Sequence, residues 1–142
     1  MLTEHVPAPP QDVRAFYADL VNMSVVHPLI ASVRSLRRTA TSDGYVQCYR
    51  VTDRIPFGPF ALRTVYRVRM VVPASGDVTA EARQFPRVRL HTVVSFTPAE
   101  SGTQVAERIS IQAPPILAPL TARKALAAHR EMLAGIRRRF GG

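Results

Sequence analysis

Residues 121–140, TARKALAAHREMLAGIRRRF, read as a helix whose apolar face carries a histidine at its centre. At roughly 100° per residue, Ala122, Ala125, Leu126, His129, Met132, Leu133, Ile136 and Phe140 fall within an arc of about 120°. Arg123, Arg130, Arg137 and Arg138 fall on the other side. A helix with one apolar face must cover something, and the rest of the chain reads mostly as strands, so the partner is a sheet. A titratable group on the covering face is either a core residue satisfied by a neighbour or the polar handle of a cavity.

Before the sheet comes a short strand, about Thr3–Val6, closed by Pro7-Ala8-Pro9-Pro10. The prolines open a helix with Gln11 and Asp12 in its first turn, where acidic charge suits the helix dipole. Val13, Phe16, Tyr17 and Leu20 follow at helical spacing. A second short helix or turn, about Val21–Val26, stops before His27-Pro28, because the residue preceding proline disfavours helical backbone.

From there the hydrophobic period changes to two. Strands are expected over Ile30–Thr39, Tyr45–Arg54, Leu62–Val72, Val78–Arg83, Val88–Thr97 and Thr103–Gln112, with Ile55–Phe60 as a stiff proline-rich loop. Tyr66, Val68, Met70 and Val72 share one face of the clearest strand, while Arg67 and Arg69 lie opposite with Val65 and Val71. Val88, Leu90, Thr92, Val94 and Phe96 form a second such face, opposed by Arg87, Arg89, His91 and Ser95. Val105, Glu107, Ile109 and Ile111 form a third. Short turns make neighbouring strands antiparallel, and an antiparallel sheet buries one face and wets the other. The long helix, expected to begin near Pro119, covers the buried face.

With 142 residues, 46% hydrophobic and 20% charged, the chain suits one domain over residues 1–142 with one core. No run reaches the length of a membrane span, and MLTEHVPAPP lacks the basic and apolar segments of a signal peptide, so a cytoplasmic protein is the default expectation. The single Cys48 forms no internal disulfide. Net charge is +9, and of the 19 basic residues only Lys124 is lysine. Such charge invites an anionic partner; a GC-rich genome, which enriches arginine and alanine codons, is the blander cause.

The order of elements and several local patterns resemble the START/Bet v 1-like superfamily, also called the helix-grip or polyketide cyclase/dehydrase-like fold. The resemblance rests on Val6-Pro7-Ala8-Pro9, Asp12-Val13, Phe16, Asp19-Leu20 and His27-Pro28, then Ile30–Val33 and Leu36. At the far end it rests on Gly102-Thr103-Gln104-Val105 and on Leu126, His129, Leu133 and Ile136. It covers essentially the whole chain. It implies an α+β fold: a curved seven-stranded antiparallel sheet wrapped around a long C-terminal helix, with two short helices after the first strand. It also implies a cavity between sheet and helix for hydrophobic or amphipathic molecules, with members that bind lipids, sterols, polyketides or plant hormones and others that are cyclases or dehydratases.

Within that frame the lining is expected from Tyr66, Val68, Met70, Leu90, Thr92, Val94, Glu107, Ile109, His129 and Leu133. His129 is either a core histidine or a donor or general base facing the cavity. Glu107 puts a carboxylate on an apolar face. Burying it alone is expensive, so it lies at the rim, pairs with an arginine or histidine, or stays protonated. A Glu107–His129 pair could orient a ligand carbonyl or run acid–base chemistry. Tyr66 is a core tyrosine or a ligand donor. Tyr49 is a weaker candidate, since neither face of its strand is cleanly apolar. Phe57, Phe60 and Phe85 either gate the cavity mouth or cap the barrel end.

Arg67, Arg69, Arg87 and Arg89 form a basic face without interleaved aromatics or a recognition helix, which makes nucleic acid an unlikely partner. The histidines are scattered and show no metal-ligand spacing; no phosphate-cradling glycine loop and no nucleophile elbow are present. Neither a metal nor a cofactor is expected, and the assembly is a monomer or homodimer. The sequence thus points to binding of a hydrophobic or amphipathic small molecule. A cyclase/dehydratase using His129, Glu107 and Tyr66 is the alternative, and an interaction module using the basic face the second.

Overall fold

The computed structural model describes Met1 to Gly142, apart from the side chain of Phe57. Seven strands form one antiparallel sheet: β1 (Leu2–Val6), β2 (Ile30–Thr41), β3 (Gly44–Phe57), β4 (Phe60–Pro73), β5 (Val78–Gln84), β6 (Val88–Ala99) and β7 (Gly102–Gln112). Their spatial order is β1-β7-β6-β5-β4-β3-β2, so only β1 leaves sequence order, crossing over to pair with β7. Helices α1 (Pro10–Ala18) and α2 (Leu20–Val26) fill that crossover, and α3 (Ala118–Arg139) closes the chain.

Alternation decides which side chains turn inward. The register aligns Glu107 with Val94 and Val94 with Val78, then Ile109 with Thr92, Ala80 and Met70, and Leu90 with Ala82 and Val68. These residues share the face that meets the helices. The opposite face carries Arg34, Arg50, Arg67, Arg83 and Arg89, each beside the next on five adjacent strands, and all five are exposed.

The expected stiff loop at Ile55–Phe60 is instead strand and tight turn. Ile55 pairs with Leu62, Pro56 with Ala61 and Phe57 with Phe60, so β3 and β4 form one long hairpin turning at Gly58-Pro59. Pro56 is tolerated because β3 beyond Asp53 has no partner on its β2 side, where the last pair is Ile30 with Asp53, and Pro59 lies in the turn itself. Gly58 supplies the positive φ, +59°, that the turn requires.

Pro10 at the first helical positions and Asp12 in the first turn start α1 as expected. The side chain of Asp19 caps α2 by accepting the Val21 N–H at 3.0 Å. In α3 the buried side chains are Ala128, Met132, Leu133 and Ile136, with Gly135 against α2. A Cβ at Gly135 would meet Val26 Cβ at 2.9 Å, so the glycine permits the close crossing of these helices. The C-terminal half of α3 is therefore the packed half. Leu126, placed on the covering face by periodicity, is 38% exposed, because this part of α3 overhangs rather than packs.

The two ends of the sheet differ. Where β1, β2, β4 and β6 finish, Val6, Val13, Val78, Val94, Thr103 and Val105 are fully buried. Where β3, β5 and β7 finish, the inward-facing Tyr66, Ala82, Leu90 and Ile111 are only half-buried.

Candidate functional site

Glu107 lies mid-strand on β7 and is wholly buried, not at a rim. Two donors explain how a carboxyl group persists there. Tyr17, on the inner face of α1 one turn beyond Val13, donates its hydroxyl to Oε2 at 2.8 Å. Nδ1 of His129, from α3, lies 2.5 Å from Oε1. Three elements thus converge on one side chain, and each carboxylate oxygen has a hydrogen-bond partner, as burial demands. With Glu107 as acceptor, His129 donates from Nδ1, and in its neutral form Nε2 carries the lone pair. Burial, reinforced by the Glu107 charge, pushes the Tyr17 hydroxyl well above its usual range, so Tyr17 stays a donor.

The His129 side chain is 13% exposed, so the imidazole stands at the boundary between core and solvent. The His27 ring meets it edge-on at 5.5 Å, with an interplanar angle of 83°. Burial and then the His129 charge push His27 down to about 3, which keeps it neutral at ordinary pH. Its Nδ1 accepts the Leu29 N–H at 3.2 Å.

A second polar pair faces the same space. The Tyr66 hydroxyl donates to Asp53 Oδ1 at 3.1 Å, from β4 to β3. Burial pushes Asp53 up to about 6; the Tyr66 hydrogen bond and the His129 charge oppose that rise. Burial, with the Asp53 charge added, pushes Tyr66 strongly upward. Thr64 is paired directly with Asp53 across the strands, and its Oγ1 is buried without a hydrogen-bond partner among the described residues.

The Glu107–His129 pair, one of the alternatives the sequence leaves open, is present, and Tyr66 and Thr92 share their inner face. Met70, Val94 and Leu133 belong to the packed core, with Val68 at its margin, whereas Leu90 and Ile109 are half-buried. Tyr49 is almost wholly buried, and its hydroxyl accepts the Leu20 N–H at 3.4 Å. The inner face of its strand is Gln47, Tyr49, Val51 and Asp53, mixed in polarity, which is why alternation of hydrophobicity alone does not reveal it. Asp53, Tyr17 and His27 escaped the sequence reading as site residues. The spacing of Asp53 from Tyr49 and Val51, and of Tyr17 from Val13, was the available signal. Phe60 is 75% and Phe85 91% exposed, so neither caps the barrel; the side chain of Phe57 lies outside the described part. Arg87 lies in the turn before β6, at φ +58°, rather than on the strand face with Arg67, Arg69 and Arg89.

Two open grooves flank this end of the sheet. One, of about 520 Å³, runs between Pro28–Ala31 and the β3–β4 hairpin. The other, of about 530 Å³, is lined by Arg83, Arg87 and Arg89 with Phe85. Neither reaches Glu107 or His129.

Residues 2–141 match the family described as polyketide cyclase / dehydrase and lipid transport. The chain belongs to that family. Solved structures share its fold. TTHA0849 from Thermus thermophilus is 16% identical, with a TM-score of 0.74 over 98% of this chain and 94% of its own. The di-domain aromatase/cyclase BexL of the BE-7585A biosynthetic pathway, also 16% identical, has a TM-score of 0.77 over 99% of this chain and 49% of its own. The ZhuI aromatase/cyclase from Streptomyces sp. R1128 is again 16% identical, with a TM-score of 0.66 over 97% of this chain and 92% of its own. At such identity these likenesses establish the helix-grip architecture and leave the chemistry to the site. No curated protein matches the sequence. Among the described residues, no helix is long and apolar enough to cross a membrane.

Proposed function

We propose that this family member binds a hydrophobic or amphipathic small molecule between the inner face of the sheet and the overhanging half of α3. The observation that carries this reading is the buried Tyr17–Glu107–His129 triad beside inward-facing residues that still reach solvent. A packed core has no need of a carboxylate there, because replacing a buried polar network by apolar side chains is often neutral or stabilising. The apolar body of the ligand lies along Leu90, Ile109 and Ala82. Its polar group meets His129 Nε2, or the vacant hydrogen-bonding capacity of Thr64 beside Asp53.

The test is a titration with a fluorescent apolar probe, 1-anilinonaphthalene-8-sulfonate, against the native chain and Ala82→Trp. Saturable binding by the native chain, lost in the folded Trp variant, supports the reading; equal binding by both sinks it. Native mass spectrometry of protein purified from its own host then identifies any retained molecule.

A second reading, dehydration of a β-hydroxy carbonyl compound in the same place, is favoured by Asp53. His129 Nε2 removes the proton α to the carbonyl, and the Tyr66 hydroxyl turns from Asp53 to donate to the carbonyl oxygen. Asp53, neutral below about pH 6, protonates the departing hydroxyl, which leaves as water while the C=C bond forms. If His129→Ala retains full turnover of such a substrate, this route is wrong.

A further inference from the structure

The connections at the two ends of the sheet are opposite in chemistry. The turns after β2, β4 and β6 carry Ser42-Asp43, Ala74–Asp77 and Glu100-Ser101. Those after β3, β5 and β7 carry Gly58-Pro59 running into Phe60, Phe85-Pro86-Arg87, and Ala113–Leu117 with Ile116 near its end. Phe85 is 91%, Ile116 89% and Phe60 75% exposed, and they come from three separate connections at one end. Arg54 and Arg63, paired across the β3–β4 hairpin that carries Phe60, and Arg87 in the β5–β6 turn that carries Phe85 share two of these connections. All three are exposed and make no ion pair among the described residues. Beyond the last β4–β5 pair, Phe60–Tyr66 project with β3 as a two-stranded arm.

Scattered exposed apolar residues need no explanation, but large ones on the tips of three connections at one end, two of which also carry unpaired cations, do. A second copy of this chain does not fit, since joining two such ends would oppose arginine to arginine. Nor does nucleic acid, which makes no use of apolar tips while phosphates hold arginines at a polar surface. An anionic bilayer satisfies both halves: acyl chains accept the aromatic and aliphatic tips, and acidic headgroups accept the guanidinium groups. The acidic turns at the opposite end then point away from the headgroups.

We propose that the Phe60/Phe85/Ile116 end docks reversibly on anionic membranes, so that the open end of the sheet faces the bilayer from which a hydrophobic ligand would come. The docking surface stands on its own observations; only the ligand's source rests on the function proposed above.

The experiment is co-sedimentation of the full chain with vesicles of phosphatidylcholine alone and with phosphatidylglycerol added. The native chain should partition onto the anionic vesicles, weakly or not at all onto neutral ones, and less as salt rises. The triple variant Phe60→Ser, Phe85→Ser, Ile116→Ser should lose about a hundredfold in partition. Arg54→Ser with Arg63→Ser and Arg87→Ser should abolish the preference for anionic vesicles. Asp43→Ser with Asp77→Ser, at the opposite end, should change nothing. No binding to anionic vesicles overturns the proposal, as does a triple apolar variant that binds as well as the native chain. So does retention on an acidic polypeptide, poly-glutamate, but not on vesicles. Probe binding measured in parallel keeps the two proposals separable: docking can fail with the ligand site intact, and the reverse.

Discussion

The sealed and open ends of this sheet are built from the same strands with the same alternation, yet they differ in what faces inward. At the sealed end valines meet α1 and the C-terminal half of α3, and nothing of Val78, Val94, Val105 or Ile136 reaches solvent. At the open end Ala82, Leu90 and Tyr66 face inward but are only partly covered. The lesson is that burial here follows the position of α3 rather than the hydrophobicity of the strands. Between the two ends stands Glu107, with both carboxylate oxygens engaged. One end supplies stability; the other is where the proposed ligand would sit.

The contrast is broken most forcefully at its boundary. Glu107→Ala strands the Tyr17 hydroxyl and the His129 N–H in the core, and should cost about 3–5 kcal/mol in chemical denaturation. Ile136→Ala in the sealed core should cost about 2–5 kcal/mol by the same measurement. Gly135→Ala comes next. The methyl group gains about 1 kcal/mol of helix propensity, but it runs into Val26, and overpacking of about 1–3 kcal/mol should leave a net loss. An unchanged or raised melting temperature for Gly135→Ala would mean that α2 and α3 are less tightly joined than this contact requires. Smallest of all, Leu62→Ser on the projecting arm should change stability by no more than about 0.5 kcal/mol.

Acid separates two groups near the boundary, with opposite signs. His27 is held down to about 3, so its contribution is fully present above the unfolded value near 6.5. That contribution is lost as pH falls from there towards 3, because the unfolded chain takes up the proton first. Asp53 is held up to about 6, so its contribution is full below about 4 and is lost as pH rises through 6. Stability profiles of His27→Gln and Asp53→Asn should therefore diverge between about pH 4 and 6.5. The first variant should lose part of the acid-side decline, and the second should lose part of the decline towards neutrality. Profiles that both parallel the native curve would contradict these assignments.

Much of this was legible beforehand because period and punctuation are local properties. Alternation in Leu62–Val72 and Val88–Thr97 named the inward residues, proline pairs marked α1, and the apolar arc of α3 with its histidine implied a covered sheet. The Ile55–Phe60 stretch misled, since proline and glycine signal a loop where a strand without a partner on one side tolerates them. Asp53 was hidden for a different reason: its face mixes Gln47, Tyr49 and Val51, and no hydrophobic pattern marks a carboxyl group whose hydrogen-bond partner is a tyrosine on the next strand.

The sequence by itself determined most of the strands, the inward faces of β4, β6 and β7, the two short helices and the covering helix, because each follows from side-chain spacing along a few residues. Tertiary structure alone decided that Glu107 is buried between Tyr17 and His129 rather than solvated. Those partners lie 90 and 22 residues away in the chain, and only packing brings them within hydrogen-bond distance. It also decided that α3 seals one end and overhangs the other. Where a helix axis crosses a sheet depends on the Gly135–Val26 contact and on the anchoring of β1 beside β7, neither of which local spacing encodes.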